Sequence, residues 1–209
     1  FKSIENLPFL PARLFKFFDM LSIKKSEIFK TLSSSGTSGM ETSKVYLDKL
    51  NASNQIKVLE KIIKSKIGNQ RLPMMVVGKD NNFLNKNNFN AQRAAINGFS
   101  LFAKKIVYLL DQNNNIDFKK LKNFLQENSN YKFIIFGFTS NIFTQLVEKL
   151  PKKNIEKKFL TNAIIIHGGG WKNLEYKKIN NLKFKNLLSE KLGIKKDNII
   201  NYYGLVEQT

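Results

Sequence analysis

Apolar positions in this chain gather into short continuous runs, and between the runs the apolar residues recur at helical spacing. "LPMMVVG" (Leu72 to Gly78), "KIVYLL", "YKFIIFGF", "NAIIIHG" and "NIINYY" are runs of strand length, rich in β-branched and aromatic residues. Runs without an apolar/polar alternation predict strands covered on both faces, as in a parallel sheet. The intervening stretches read as amphipathic helices. "NQIKVLEKIIKSKIG", capped at Asn51 or Ser53, puts Ile56, Leu59, Ile62, Ile63 and Ile67 on one face and stops at Gly68. "IDFKKLKNFLQEN" predicts a helix capped at Asp117, with Phe118, Leu121, Phe124 and Leu125 inward. "SNIFTQLVEKLP" predicts a helix ended by Pro151, and "NLKFKNLLSEKLG" one stopped by Gly193. Strands alternating with helices predict an α/β domain with a mainly parallel sheet flanked by helices.

The first fifty residues read differently. Two prolines in "LPFLPARLFK" predict an extended start, then a helical turn over Phe15 to Leu21. "EIFKTL" (Glu27 to Leu32) and "SKVYLD" predict two strands on either side of the loop "SSSGTSG". An asparagine-rich segment, Asn81 to Asn90, reads as a low-complexity loop. No internal repeat is visible.

Composition narrows the partners. Of 209 residues, 42% are hydrophobic and 12% aromatic, which places the chain among globular proteins. The formal charge of +19 would suit an anionic partner. The excess is nearly all lysine, however, with arginine only at Arg13, Arg71 and Arg93, so bidentate reading of phosphate or guanine is scarce. Lysine, asparagine, isoleucine and phenylalanine are raised together, the pattern of an AT-rich coding sequence, and the lysines are scattered. The expectation is a solvated basic surface with no specific nucleic acid. Absence of cysteine excludes a disulfide or thiolate metal site within these residues, and the single His167 builds no metal cluster alone. No apolar run is long enough to span a bilayer and no signal-peptide pattern opens the chain, so a cytoplasmic setting is expected. The chain starts at Phe1, without an initiating methionine, and stops at Thr209 just after a glycine motif, and it reads as an internal piece of a longer protein.

Three glycine loops each follow an apolar strand, and in parallel sheets ligands bind beyond the carboxyl ends of strands. "SSSGTSG" (Ser33 to Gly39) reads as a flexible Ser/Gly linker or as a nest of N–H and hydroxyl donors for phosphate. It lacks the spacing of a Walker loop. "HGGGWK" reads as a tight turn with a core tryptophan, or as bare backbone for a flat ligand with Trp171 as a wall. "NYYGLVEQ" reads as an ordinary turn, or as a ring face for stacking followed by a carboxylate for Mg²⁺.

Taken in order, these residues resemble the adenylate-forming superfamily of acyl-CoA synthetases, luciferases and relatives. "SSSGTSG" is similar to its phosphate loop, and "NYYGLVEQ" to its N-x-Y-G-x-T-E motif. With "LPFLPARLFK" upstream and "HGGGWK" between, the chain resembles most the LuxE-type acyl-protein synthetases, over nearly its whole length. The resemblance implies the large N-terminal adenylating domain, without the C-terminal lobe. Ser34, Ser35, Gly36, Thr37, Ser38 and Gly39 would wrap the β- and γ-phosphates of ATP. His167, Gly168, Gly169, Gly170 and Trp171, with Tyr203 and Gly204, would line the adenine and acyl pocket, and Glu207 would hold Mg²⁺. A fatty acid, or another carboxylic acid, would be activated as acyl-adenylate, passed to a protein cysteine and handed on to an acyl-protein reductase. The ribose-binding aspartate, catalytic lysine and acceptor cysteine of the family would lie beyond Thr209, so these residues alone are expected to bind ATP without completing the reaction. Val206 stands where the superfamily has threonine, and Thr42 where a lysine is common, with Lys44 two residues on. Two other readings remain: a coenzyme A or other carboxylate ligase of the same fold, for example in surface-polymer assembly, and a basic, non-catalytic nucleic-acid-binding module.

Overall fold

The computed structural model describes residues 3–6, 8–34, 42–80, 91–151 and 156–203. The chain divides near Ile62 into two compact units.

In the first unit, a single helical turn, α1 (Leu14–Phe17), precedes an antiparallel hairpin of β1 (Lys30–Ser33) and β2 (Lys44–Leu47). Register runs from Lys30 opposite Leu47 to Ser33 opposite Lys44. Val45, Leu47 and Ala52 form a small core against Phe15 and Leu32. The helical turn is shorter than the expected Phe15 to Leu21. The first strand begins later than Glu27, because Glu27 belongs to a 3₁₀ turn (Lys25–Glu27) in which its carboxylate accepts the Lys24 N–H at 3.0 Å. A side chain that satisfies a free backbone donor this way favours the turn over the strand.

Helix α2 (Lys49–Ile67) is capped by Asp48, whose Oδ1 accepts the Asn51 N–H at 2.7 Å, and not by Asn51 or Ser53. Its apolar stripe is also divided. Ile63 and Ile67 are buried, whereas Ile56 and Ile62 are 52% and 56% exposed. The helix crosses the division between the units, so one continuous stripe does not serve one core.

The second unit is a five-stranded, all-parallel sheet flanked by helices, as expected. Its strands are β3 (Leu72–Lys79), β4 (Ala103–Leu110), β5 (Phe133–Phe138), β6 (Ala163–Gly168) and β7 (Ile199–Tyr202), in the order β4-β3-β5-β6-β7. The interior strands β3, β5 and β6 are buried on both faces, which is why they read as unbroken apolar runs, whereas the edge strands β4 and β7 keep exposed positions. On one face Met75, Val77, Phe133, Ile135 and Ile165 pack with residues of α4 (Phe118–Asn128), of the helix after β5, and of α6 (Asn181–Leu192). On the other, Phe99 of α3 (Ala91–Ser100) lies 4.6 Å from Phe136, ring to ring.

Asp117 caps α4 as expected, its Oδ1 accepting from Lys120 N at 3.0 Å. Leu121, Phe124 and Leu125 are buried, but Phe118 is 43% exposed. It occupies the first helical position, at the rim of the buried arc. The helix after β5 starts as one turn, α5 (Thr139–Asn141), and continues as a π-helix over Ile142–Lys149. Gln145 Nε2 in this segment donates to the Asn114 carbonyl at 3.2 Å, and the Lys191 ammonium of α6 donates to the Val147 carbonyl. Helix α3 has no counterpart in the sequence reading. Among the described residues no helix is long and apolar enough to cross a membrane. The expected loop over Asn81 to Asn90 lies outside the described residues.

Candidate functional site

Strand register decides which motif residues meet. Phe138 pairs with Gly168 across β5 and β6, and Gly168 pairs with Tyr202 across β6 and β7. The carboxyl ends of three adjacent strands therefore stand level, and the next residues along each strand are Thr139, Gly169 and Tyr203. Two of the three glycine motifs thus share one sheet edge.

The glycines there have a packing reason. A Cβ on Gly168 would sit 2.4 Å from the Tyr202 carbonyl oxygen, inside backbone that cannot move aside. Gly169 has φ +74°, the left-handed region that side chains resist, and a Cβ there would meet the Phe138 ring at 2.7 Å. The space beside both glycines is taken by the protein's own neighbours. Gly169 and Gly170 are exposed, and Tyr203 is 74% exposed, so an open stretch of backbone adjoins a free ring face. Trp171 turns inward. It is buried, with its ring 5.0 Å from Phe143 and 5.5 Å from Phe184.

His167, the residue before the glycines, is 1% exposed. Its ring meets Phe184 edge-on at 5.0 Å, and its Nδ1 lies 3.0 Å from the Thr139 hydroxyl. That hydroxyl also donates to the Gly168 carbonyl at 3.1 Å. Nε2 is buried and has no protein hydrogen-bond partner. Burial, assisted by the positive charge of Lys185, pushes the imidazole down to about 4 from its ordinary 6.5. The ring is neutral at physiological pH.

In the phosphate-loop motif Ser33, the last residue of β1, and Ser34 are described; Ser34 is the one of the two expected to face phosphate. It closes the β1–β2 hairpin: its N–H donates to the Ser43 carbonyl at 3.0 Å, and its Oγ accepts the Ser43 N–H at 2.9 Å. Lys44 is exposed at the start of β2. Ser35, Gly36, Thr37, Ser38 and Gly39, and likewise Gly204 and Glu207, lie outside the described residues. Among the described residues no group of three or more His, Asp or Glu side chains assembles to hold a metal. Thr139 is the residue that sequence reasoning missed. Its only signal was a hydroxyl between the β5 run and the following helix.

The family model described as "Acyl-protein synthetase, LuxE" matches residues 1–209. Comparison with curated proteins gives no match. Among solved structures, ATP-bound MatB from Rhodopseudomonas palustris matches with a TM-score of 0.51 at 15% identity, covering 90% of this chain and 31% of that one. The apo form of the same protein matches with a TM-score of 0.50 at 13% identity and the same coverage. Those likenesses show the fold, that of the N-terminal domain of adenylate-forming enzymes, and the chain spans about a third of the length of the proteins it matches.

Proposed function

Because the chain belongs to the LuxE acyl-protein synthetase family, we propose that it is the N-terminal adenylating part of a ligase that activates a fatty acid with ATP and passes the acyl group to a protein cysteine. The observation that carries this reading is the register of β5, β6 and β7, which sets the glycine turn beside Tyr203 at one sheet edge. The exposed backbone of Gly169 and Gly170 and the exposed Tyr203 ring fit a flat, hydrogen-bonding heterocycle such as adenine.

In this reading a carboxylate oxygen of the acid attacks the α-phosphorus of ATP. A bond forms between that oxygen and the α-phosphorus, the bond from the α-phosphorus to the α,β-bridging oxygen breaks, and pyrophosphate leaves with that oxygen and the bonding electron pair. The attacking carboxylate is already ionised, so no general base is required. The protein's task is to position the reactants and to neutralise phosphate charge. Ser34 to Gly39 would cradle the β- and γ-phosphates, each hydrogen bond to a charged oxygen being worth about 1.5–3 kcal/mol. Glu207 would supply the protein carboxylate for Mg²⁺, which takes few such ligands and relies on phosphate oxygens for others. Tyr203 would lie against the adenine. A cytoplasmic location and delivery to an acyl-protein reductase complete the proposal.

The test is ATP–pyrophosphate exchange by the full-length protein, supplied with Mg²⁺ and a panel of carboxylic acids. Exchange that depends on a long-chain fatty acid is expected, and Glu207→Gln should abolish it. Undiminished exchange in that variant would remove the magnesium role, and absence of acid-dependent exchange in the parent would remove the ligase reading. Labelled acid retained on denatured protein separates cysteine acylation from thioester formation on coenzyme A.

A further inference from the structure

We propose that Thr139 and His167 act as a positioning couple that fixes the glycine turn at the ends of β5 and β6. Neither residue is asked to touch the reacting atoms. A count of protons fixes the direction of each hydrogen bond. The Thr139 hydroxyl carries one proton, and the Gly168 carbonyl, 3.1 Å away, only accepts, so the proton points there. Toward the imidazole, 3.0 Å away, the hydroxyl then presents lone pairs alone. His167 Nδ1 must therefore carry the ring proton and donate it to Thr139. The resulting chain runs from Nδ1–H to Oγ–H to the Gly168 carbonyl, leaving β6, reaching the first residue after β5 and returning to β6.

Nε2 is without a protein partner in either tautomer, so the assignment rests on Thr139 alone. In this tautomer Nε2 is a bare acceptor, and it is buried with no protein partner. A buried acceptor without a partner is destabilising. The ring bears that cost while Nδ1 is held on Thr139. Consecutive hydrogen bonds in a dry site also strengthen one another. What the chain orders is the carbonyl of Gly168, the residue directly before the left-handed Gly169. The turn is thus set by the protein before any ligand arrives, and a turn ordered in advance spends less binding energy on ordering. This inference rests on the ATP reading for its ligand, but not for its geometry.

Two measurements on the full-length protein separate the parts. The first is nitrogen NMR of protein labelled in its histidine rings, with His167 assigned by the signal missing from His167→Asn. The expected spectrum has a protonated Nδ1 and a bare Nε2, lost or mixed in Thr139→Val and kept in Thr139→Ser. A ring protonated at Nε2 in the parent overturns the couple outright, whatever becomes of ATP and without relying on any variant to fold. The second is calorimetric titration with ATP and Mg²⁺. Loss of one hydrogen bond of ordinary worth predicts binding weakened about tenfold in Thr139→Val, with Thr139→Ser within about twofold of the parent and kcat lowered less than the affinity. Unchanged ATP affinity in a folded Thr139→Val overturns the positioning role. No ATP binding by a parent that shows the expected tautomer overturns the nucleotide reading instead.

Discussion

Acidification should weaken this fold through His167 by an amount that the structure fixes in sign and scale. The unfolded chain protonates the imidazole near its ordinary 6.5, whereas the buried ring resists until about 4. Between those values the unfolded state holds more protons than the folded one. Stability therefore rises with pH across that window, is complete above about 6.5, and is lost as pH falls toward 4. At about 1.4 kcal/mol per pKa unit, the whole displacement amounts to about 3 kcal/mol. Carboxylates titrate over part of the same range, so the parent curve alone is not diagnostic. The difference between the parent and His167→Asn is, because the carboxylates are common to both. Urea unfolding at intervals from pH 7.5 to 4.5 supplies it. Fluorescence of Trp171 is a local readout, since its ring and that of His167 both pack on Phe184. The two curves should be offset by a constant near neutrality. They should converge or cross on acidification, the parent losing about 2–3 kcal/mol more by pH 4.5. Parallel curves throughout would mean that the ring is already hydrated or charged in the native state, and the burial argument would be wrong.

Other substitutions probe the same edge. Gly168→Ala should force β6 and β7 apart, because the added carbon meets a backbone oxygen at 2.4 Å. A loss of about 1–3 kcal/mol in denaturant unfolding is expected, and a neutral result would contradict the close approach. Phe184→Ala removes the ring against which His167, Trp171 and Phe143 all pack. A loss of about 3–5 kcal/mol is expected in urea unfolding, along with an upward shift of the imidazole toward its ordinary value as water gains access.

Much of the sheet was legible because burial on both faces imposes an unbroken apolar run, and Leu72 to Gly78 or Phe133 to Phe138 admit little else. The Asp117 cap was legible too, since a short acceptor before a periodic stretch has one obvious use. Periodicity failed where it had to choose between environments. Ile56 and Ile62 share a stripe with Ile63 and Ile67, yet only the latter pair is buried, and spacing alone does not reveal where one packing unit yields to another. Helix α3 escaped because three of the five apolar residues in "AQRAAINGFS" are alanines and a glycine interrupts it, and among its described side chains only Ile96 and Phe99 are buried. At the candidate site the glycine motif was visible, but its neighbours were not. Thr139 lies 28 residues before His167, and nothing in the local sequence announces that β5 and β6 will be adjacent. The glycines themselves were read for what a ligand needs, whereas Tyr202 and Phe138 already require Gly168 and Gly169 to be bare.

The strand order has a further consequence for how the chain is assembled. β3 is an interior strand, with β4 on one side and β5 on the other, and Met74 finds its second neighbour in Ile134, sixty residues later. During synthesis, Leu72 to Lys79 can dock with β4 while its opposite flank still presents open amides and carbonyls on a nearly continuous apolar segment. Such a flank is a template for pairing with another chain. Nascent chains that stop between Leu110 and Phe133 should be the ones that associate, and release from that hazard should come when β5 emerges and seals the gap.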